Sequence, residues 1–141
     1  MCIRDRFISY YILSGIGEIL MTFPSLVHKH PKLRLIIVGF GIYREHIELM
    51  IHSMVTGNKE LFKAAGHCVD ELGCTFLESS INVDENFQQI KQEEADRILI
   101  TGCLNHNELG LLLPMAAISL VTSKATEAFG MVSVEAMAAG W

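Results

Sequence analysis

The sequence predicts a doubly wound, parallel α/β sheet. Two observations carry that expectation. Short apolar runs, each followed by a helical period of apolar residues, recur along the whole chain. Glycine is frequent (11) and proline scarce (3), as a layered structure with many short strand-to-helix turns requires. At 141 residues, 50% apolar and 19% charged, the chain is one domain's worth of sequence. A chain of that size buries roughly two thirds of its unfolded surface and needs neither disulfides nor a structural metal to hold a core.

The first run, Phe7 to Leu13, reads as a strand, and Ser14-Gly15 turns it into a helix with apolar residues at Ile16, Ile19, Leu20, Phe23, Leu26 and Val27. A basic last turn, His28, Lys29 and His30, precedes the stop at Pro31. Leu33 to Val38 reads as a strand buried on both faces. Gly39-Phe40-Gly41 then turns into a helix lined by Ile47, Met50, Ile51, Met54 and Val55 and ended by Gly57-Asn58.

From Lys59 to Asp96 the pattern blurs. A helix is expected over Glu60 to Leu72, then a break at Gly73 and an acidic stretch with Asp84, Glu85, Glu93, Glu94 and Asp96. Residues 59–96 are expected to form an exposed, mostly helical insertion whose charges are a solvated face. Order returns with Ile98 to Thr101 and Gly102. A helix follows from His106, capped by Asn105 with Glu108 three residues on. Ile118 to Val121 is the last strand, Thr122 to Ala128 a loop, and Gly130 to Ala139 a helix closed by Gly140.

Composition excludes several functions. Sixteen acids against eleven Lys and Arg give a formal charge of −5, which repels phosphodiester backbones and anionic lipid, so no nucleic-acid partner is expected. The best apolar stretch, Leu109 to Val121, is broken by Gly110 and Pro114 and falls short of the ~18 residues of a membrane span. Arg4 and Arg6 before Phe7 to Leu13 imitate a signal peptide, but Asp5 and Glu18 argue against one. Cys2, Cys68, Cys74 and Cys103 form no CxxC pair and read as reduced thiols of a cytoplasmic protein. His67, Cys68 and Cys74 lack a second half at ligand spacing, and no metal site is expected.

Ligands of doubly wound sheets sit past the carboxyl ends of the strands, so Gly39 to Gly41, Gly102 to Leu104 and Ser123 to Gly130 are where chemistry is expected. The segment Glu127 to Glu135 is the informative one. A helix start there offers unpaired N–H groups to an anion, and Gly130 lets backbone approach a phosphate. Glu135 lies about 7.5 Å further along the axis, roughly the span from a diphosphate to its ribose. Spacing alone equally allows Glu127 as a first-turn charge and Glu135 as a helix-surface acid. Val132, Val134, Ala136, Met137, Ala138 and Ala139, apolar nearly all round, suggest instead a buried helix in which the Glu135 charge needs a partner.

Glu127 to Gly140, EAFGMVSVEAMAAG, resembles the E-x7-E signature of retaining glycosyltransferases of family 4, which have the two-domain GT-B architecture. Leu33 to Gly41 (LRLIIVGFG), Thr101-Gly102, the Glu108 to Ala117 helix and Thr122-Ser123 extend the resemblance over nearly the whole chain. It implies a Rossmann-like, truncated, C-terminal donor-binding half, with Met1 to Arg6 a non-native leader and residues 7–141 a partial domain. Its donor would be a nucleoside-diphosphate sugar, used without metal or other cofactor, and its partner an N-terminal acceptor domain missing here.

Carried over by residue, the resemblance implies that Glu127 contacts donor-sugar hydroxyls as the catalytic residue and that Glu135 holds the ribose. Backbone amides of Phe129, Gly130, Met131 and Val132 would cradle the diphosphate. Gly102 and Leu104 would border the base, and Gly39 and Gly41 complete the donor site. Transfer would proceed with retention to an acceptor oxygen, the helix dipole and basic groups neutralising the leaving diphosphate. Here the chain departs from the family. A Gly-Arg/Lys pair and a Lys-Gly pair usually flank the first strand, and Phe7 to Gly15 carries neither cation. Each absent cation removes a charge-assisted hydrogen bond of about 1.5–3 kcal/mol, so the chain alone is expected to be inactive.

Two further readings were open. A non-catalytic nucleotide-binding or interaction module derived from the same fold would also explain the missing cations. A nicotinamide-binding domain would use Gly39-Phe40-Gly41, but Arg44 replaces the third glycine and the acid due ~20 residues on would fall in a helix. Arg44 is better matched to Glu48 one turn on.

Overall fold

The computed structural model describes residues 7–11, 15–38, 44–67, 76–77, 79–121 and 131–138, and at 7–11, 121 and 131–133 the backbone alone. In chain order the elements are β1 (Phe7–Tyr11), α1 (Ile16–Lys29), β2 (Arg34–Val38), α2 (Arg44–Thr56), α3 (Lys59–Gly66), α4 (Val83–Asn86) and α5 (Gln92–Ala95). They continue as β3 (Ile98–Gly102), α6 (His106–Leu112), a 3₁₀ turn (Leu113–Met115), β4 (Ala116–Val121) and α7 (Met131–Ala138).

The strands form one sheet in the order β3-β2-β1-β4. Every pairing is parallel: Tyr10 stands between Ile37 on β2 and Leu120 on β4, and Ile36 opposes Leu99 on β3. The chain grows outward from β1 through β2 to β3, then returns to the opposite side of β1 as β4. That reversal, between β1 and β4, is the switch point of a doubly wound sheet.

Alternation along β2 feeds two cores. Leu35 and Ile37 face a large cluster with Ile16, Leu20, Phe23 and Val27 of α1, Met50 and Met54 of α2, and Phe62 of α3. Ile36 and Val38 face the other side, where Leu109 and Leu113 cover them. The expectation of a strand buried on both faces holds from Leu35 to Val38, while Arg34 at the start of β2 is exposed.

Several expectations need correction. The 59–96 stretch is not a peripheral insertion: Phe62, Ala65, Phe76, Leu77, Val83, Ile90 and Ala95 all belong to the main core. Its charges are nevertheless solvated, with Asp84, Glu85, Glu93 and Asp96 exposed. The helix expected over Glu60 to Leu72 ends at Gly66, where His67 is the C-cap. The helix expected from Glu108 to Ala117 ends at Leu112, because Pro114 has no amide to bond back to Gly110. β4 accordingly starts at Ala116, two residues before the expected Ile118. Pro24, not weighed in the sequence, lies buried inside α1, which continues to Lys29.

Two local expectations hold in atomic detail. Arg44 Nε lies 2.7 Å from Glu48 Oε1. At the start of α6 the Asn105 side chain accepts from the amides of Asn107 (2.9 Å) and Glu108 (3.0 Å), and Glu108 Oε2 accepts from the Asn105 amide at 2.7 Å. The acid that a dinucleotide site needs after the Gly39 turn would fall in α3, which is helical. The nicotinamide reading lacks its strand end there.

Candidate functional site between α6 and α7

β3 ends at Gly102, whose φ of 80° is a left-handed conformation that favours glycine. A Cβ there would meet nothing within 4 Å, so backbone conformation, not crowding, is what calls for glycine. Thr101 Oγ1 donates to the Gly102 carbonyl at 3.1 Å, at the point where the strand leaves the sheet. Cys103 follows as an exposed free thiol. Leu104 tucks against the Ile36–Leu109 cluster. The reciprocal cap of Asn105 and Glu108 then fixes the entry into α6, with His106 as its first residue.

α7 begins at Met131 and makes contact with β4. A helix start leaves its first amides without acceptors inside the helix. The sequence suggested a helix buried all round, and this is corrected: Val134 is 43% and Met137 64% exposed, while Ala136 is buried. β4 is the outer strand of the described sheet, and α7, packed on it, leaves Val134 and Met137 toward solvent.

Glu135 does find a partner. Its Oε1 lies 3.4 Å from Nδ1 of His106, with the Glu135 side chain 24% and the His106 side chain 91% exposed. The two line one end of a cavity of about 380 Å³ between α6 and α7, whose walls are Leu109, Gly110, Leu113, Pro114 and Ala138. A second groove of about 320 Å³ runs between α2 and the β3 edge, past Arg44, Glu48 and His52, away from the switch point.

The structure thus brings Glu135 beside the start of α6, immediately after the Gly102–Leu104 turn. Glu127, Phe129, Gly130, Gly39 and Gly41 lie outside the described residues, as do the 12–14 turn, Cys2, Cys68 and Cys74. Met131 and Val132 are placed by backbone alone, in the first turn of α7. Sequence reasoning treated His106 as a helix start only. Its approach to Glu135 spans two elements distant in sequence and leaves no local spacing to find. Among the described residues no three His, Cys, Asp or Glu side chains gather as a metal site. No helix among them is long and apolar enough to cross a membrane.

A parallel sheet with a switch point between β1 and β4, and an acid on α7 lining a cavity against α6, are the features of a doubly wound α/β domain. Residues 13–141 match the family model described as glycosyl transferases group 1, and the chain belongs to that family. Its parallel sheet is consistent with a Rossmann-like half of the GT-B architecture. No curated protein and no solved structure gives a significant match.

Proposed function

We propose that this domain binds a nucleoside-diphosphate sugar and serves the donor side of a retaining, family 4-type glycosyl transfer. One observation carries the reading: Glu135, the second acid of the E-x7-E segment, stands on α7 beside His106 at the start of α6, lining a cavity between the two helices. In this arrangement the Glu135 carboxylate accepts the two ribose hydroxyls, Gly102 and Leu104 border the base, and the first amides of α7 face the diphosphate. Glu127 then contacts the donor sugar, with Phe129 and Gly130 completing the diphosphate cradle and Gly39 and Gly41 the far wall. Departure of the nucleoside diphosphate leaves negative charge that helix-terminal N–H groups stabilise without a metal. The acceptor enters from an N-terminal domain outside this sequence.

The absence of Arg or Lys from Phe7 to Gly15 favours a second reading, a module that binds the donor or its diphosphate but does not transfer the sugar. Equilibrium titration with uridine, adenosine and guanosine diphosphates, followed by a sugar-release assay on the matching nucleotide sugar, separates the two. Binding of one diphosphate that Glu135→Ala weakens about tenfold or more, the worth of hydrogen bonds to a charged group, supports the donor site. Sugar release supports transfer, and its absence supports the module. Unchanged binding in a folded Glu135→Ala variant removes the ribose assignment.

A further inference from the structure

We infer that His106 is a positioning residue for Glu135, holding its carboxylate in the orientation that receives a ribose diol. The inference rests on the proposed function, because it takes Glu135 as the ribose acceptor.

A glutamate carboxylate hangs on three rotatable bonds, and leaving it free costs binding entropy when a ligand demands one orientation. Among the described residues His106 is the basic side chain within ion-pair distance of Glu135, at 3.4 Å from Nδ1 to Oε1. A contact on Oε1 leaves Oε2 and further lone pairs open, and an ionised carboxylate has about four acceptor sites to share. At 3.4 Å the two atoms are within ion-pair distance, the imidazole being charged only when protonated, and an Nδ1–H turned toward Oε1 could also donate to it.

His106 is itself held. It follows Asn105, whose side chain and amide are both engaged in the reciprocal cap with the Glu108 amide (3.0 Å) and carboxylate (2.7 Å). One turn on, buried Leu109 packs in the cluster with Ile36 and Val38 and ties α6 to the sheet. A sheet-anchored helix start therefore carries the imidazole to the carboxylate of the neighbouring helix. At 91% exposure the His106 side chain contributes nothing to the core, so its placement against Glu135 is not a by-product of packing.

The test is equilibrium binding of uridine, adenosine and guanosine diphosphates and their 2′,3′-dideoxy counterparts to the full chain and to H106A, H106Q and E135A. With Glu135 on the ribose, the wild type prefers the ribose form of the diphosphate it binds, and E135A loses that preference. H106A is expected to reduce the preference about two- to fivefold, the size of an exposed ion pair, with dideoxy affinity unchanged and H106Q restoring most of the loss. A full preference in H106A, while E135A has lost it, overturns the inference and leaves the proposed function standing. Tighter ribose binding in H106A also overturns it, by making His106 a competitor for the carboxylate. If E135A keeps the preference, or no diphosphate binds, the ribose role of Glu135 falls and the inference falls with it.

Discussion

The amide of Gly17 donates to the carbonyl of Phe76 at 2.8 Å, so a helix start and a segment nearly sixty residues later close on each other with no side chain between them. Gly17 is the second residue of α1, where a helix has no acceptor of its own for the amide, and the Phe76 carbonyl supplies one. A Cβ at position 17 would stand 2.7 Å from that oxygen and 3.0 Å from Leu77 Cβ. Gly17→Ala is therefore expected to destabilise the domain. The better helix propensity of alanine offers about 1 kcal/mol, while forcing backbone apart in a packed region costs about 1–3 kcal/mol. Urea unfolding that showed a gain in stability would contradict the close approach.

Leu77 is the wedge behind that contact. It is fully buried, its amide donates to the Gly66 carbonyl at 2.9 Å, and a Cβ at Gly66 would come within 2.9 Å of Leu77 Cβ. Two glycines, one on α1 and one on α3, thus make room for one leucine. Leu77→Ala leaves a cavity between them and should cost about 2–5 kcal/mol in chemical denaturation. An effect under half a kilocalorie, the scale of a surface substitution, would mean that the 76–77 segment is peripheral after all.

Asn105→Ala removes the acceptor for two α6 amides. The expected loss is about 0.5–2 kcal/mol, from a cap that no other side chain replaces. Amide exchange should quicken at Asn107 and Glu108 before it does in β2. Uniform quickening across the sheet would indicate a different role for Asn105.

Lys63 Nζ lies 3.0 Å from both carboxylate oxygens of Asp84 and 3.1 Å from Glu60 Oε1. The hydrogen bond to Asp84, then that to Glu60, raises its pKa above the ordinary 10.5. A raised pKa in the folded state adds stability that is complete below the unfolded value and disappears as pH climbs through the folded one. Wild type and Lys63→Met should therefore differ at neutral pH, by an amount that shrinks with added salt, and converge only as pH climbs past the folded-state pKa, which lies above the ordinary 10.5. A difference that persists there would assign the effect to the lysine stem, not its charge.

What the sequence made legible was local. The apolar run Leu33–Val38 announces β2, the Asn105–Glu108 spacing announces α6, and Arg44 with Glu48 announces an ion pair one turn apart, because each signal is complete within a few residues. Phe76 and Leu77 enter the core through Gly17 and Gly66, contacts between distant segments that impose no period on the acidic stretch around them. The exposure of α7 escaped for the same reason: a mostly apolar helix looks buried until its surroundings are seen, and Val134 and Met137 face solvent. At the candidate site, Glu135 stood out through the resemblance of Glu127 to Gly140 to a known signature, spacing alone leaving it open as a surface acid, whereas the approach of His106 became visible only when α6 and α7 were seen side by side.

Amide hydrogen exchange of the full chain, with and without a saturating nucleoside diphosphate, tests the location of the site most directly. The account predicts slowed exchange at 102–106 and in the first turn of α7, at 131–135, with β2 unchanged. Slowing confined to Arg44–Thr56 and Gln92–Ala95 would place the ligand in the groove beside the β3 edge instead, and would contradict a donor site between α6 and α7.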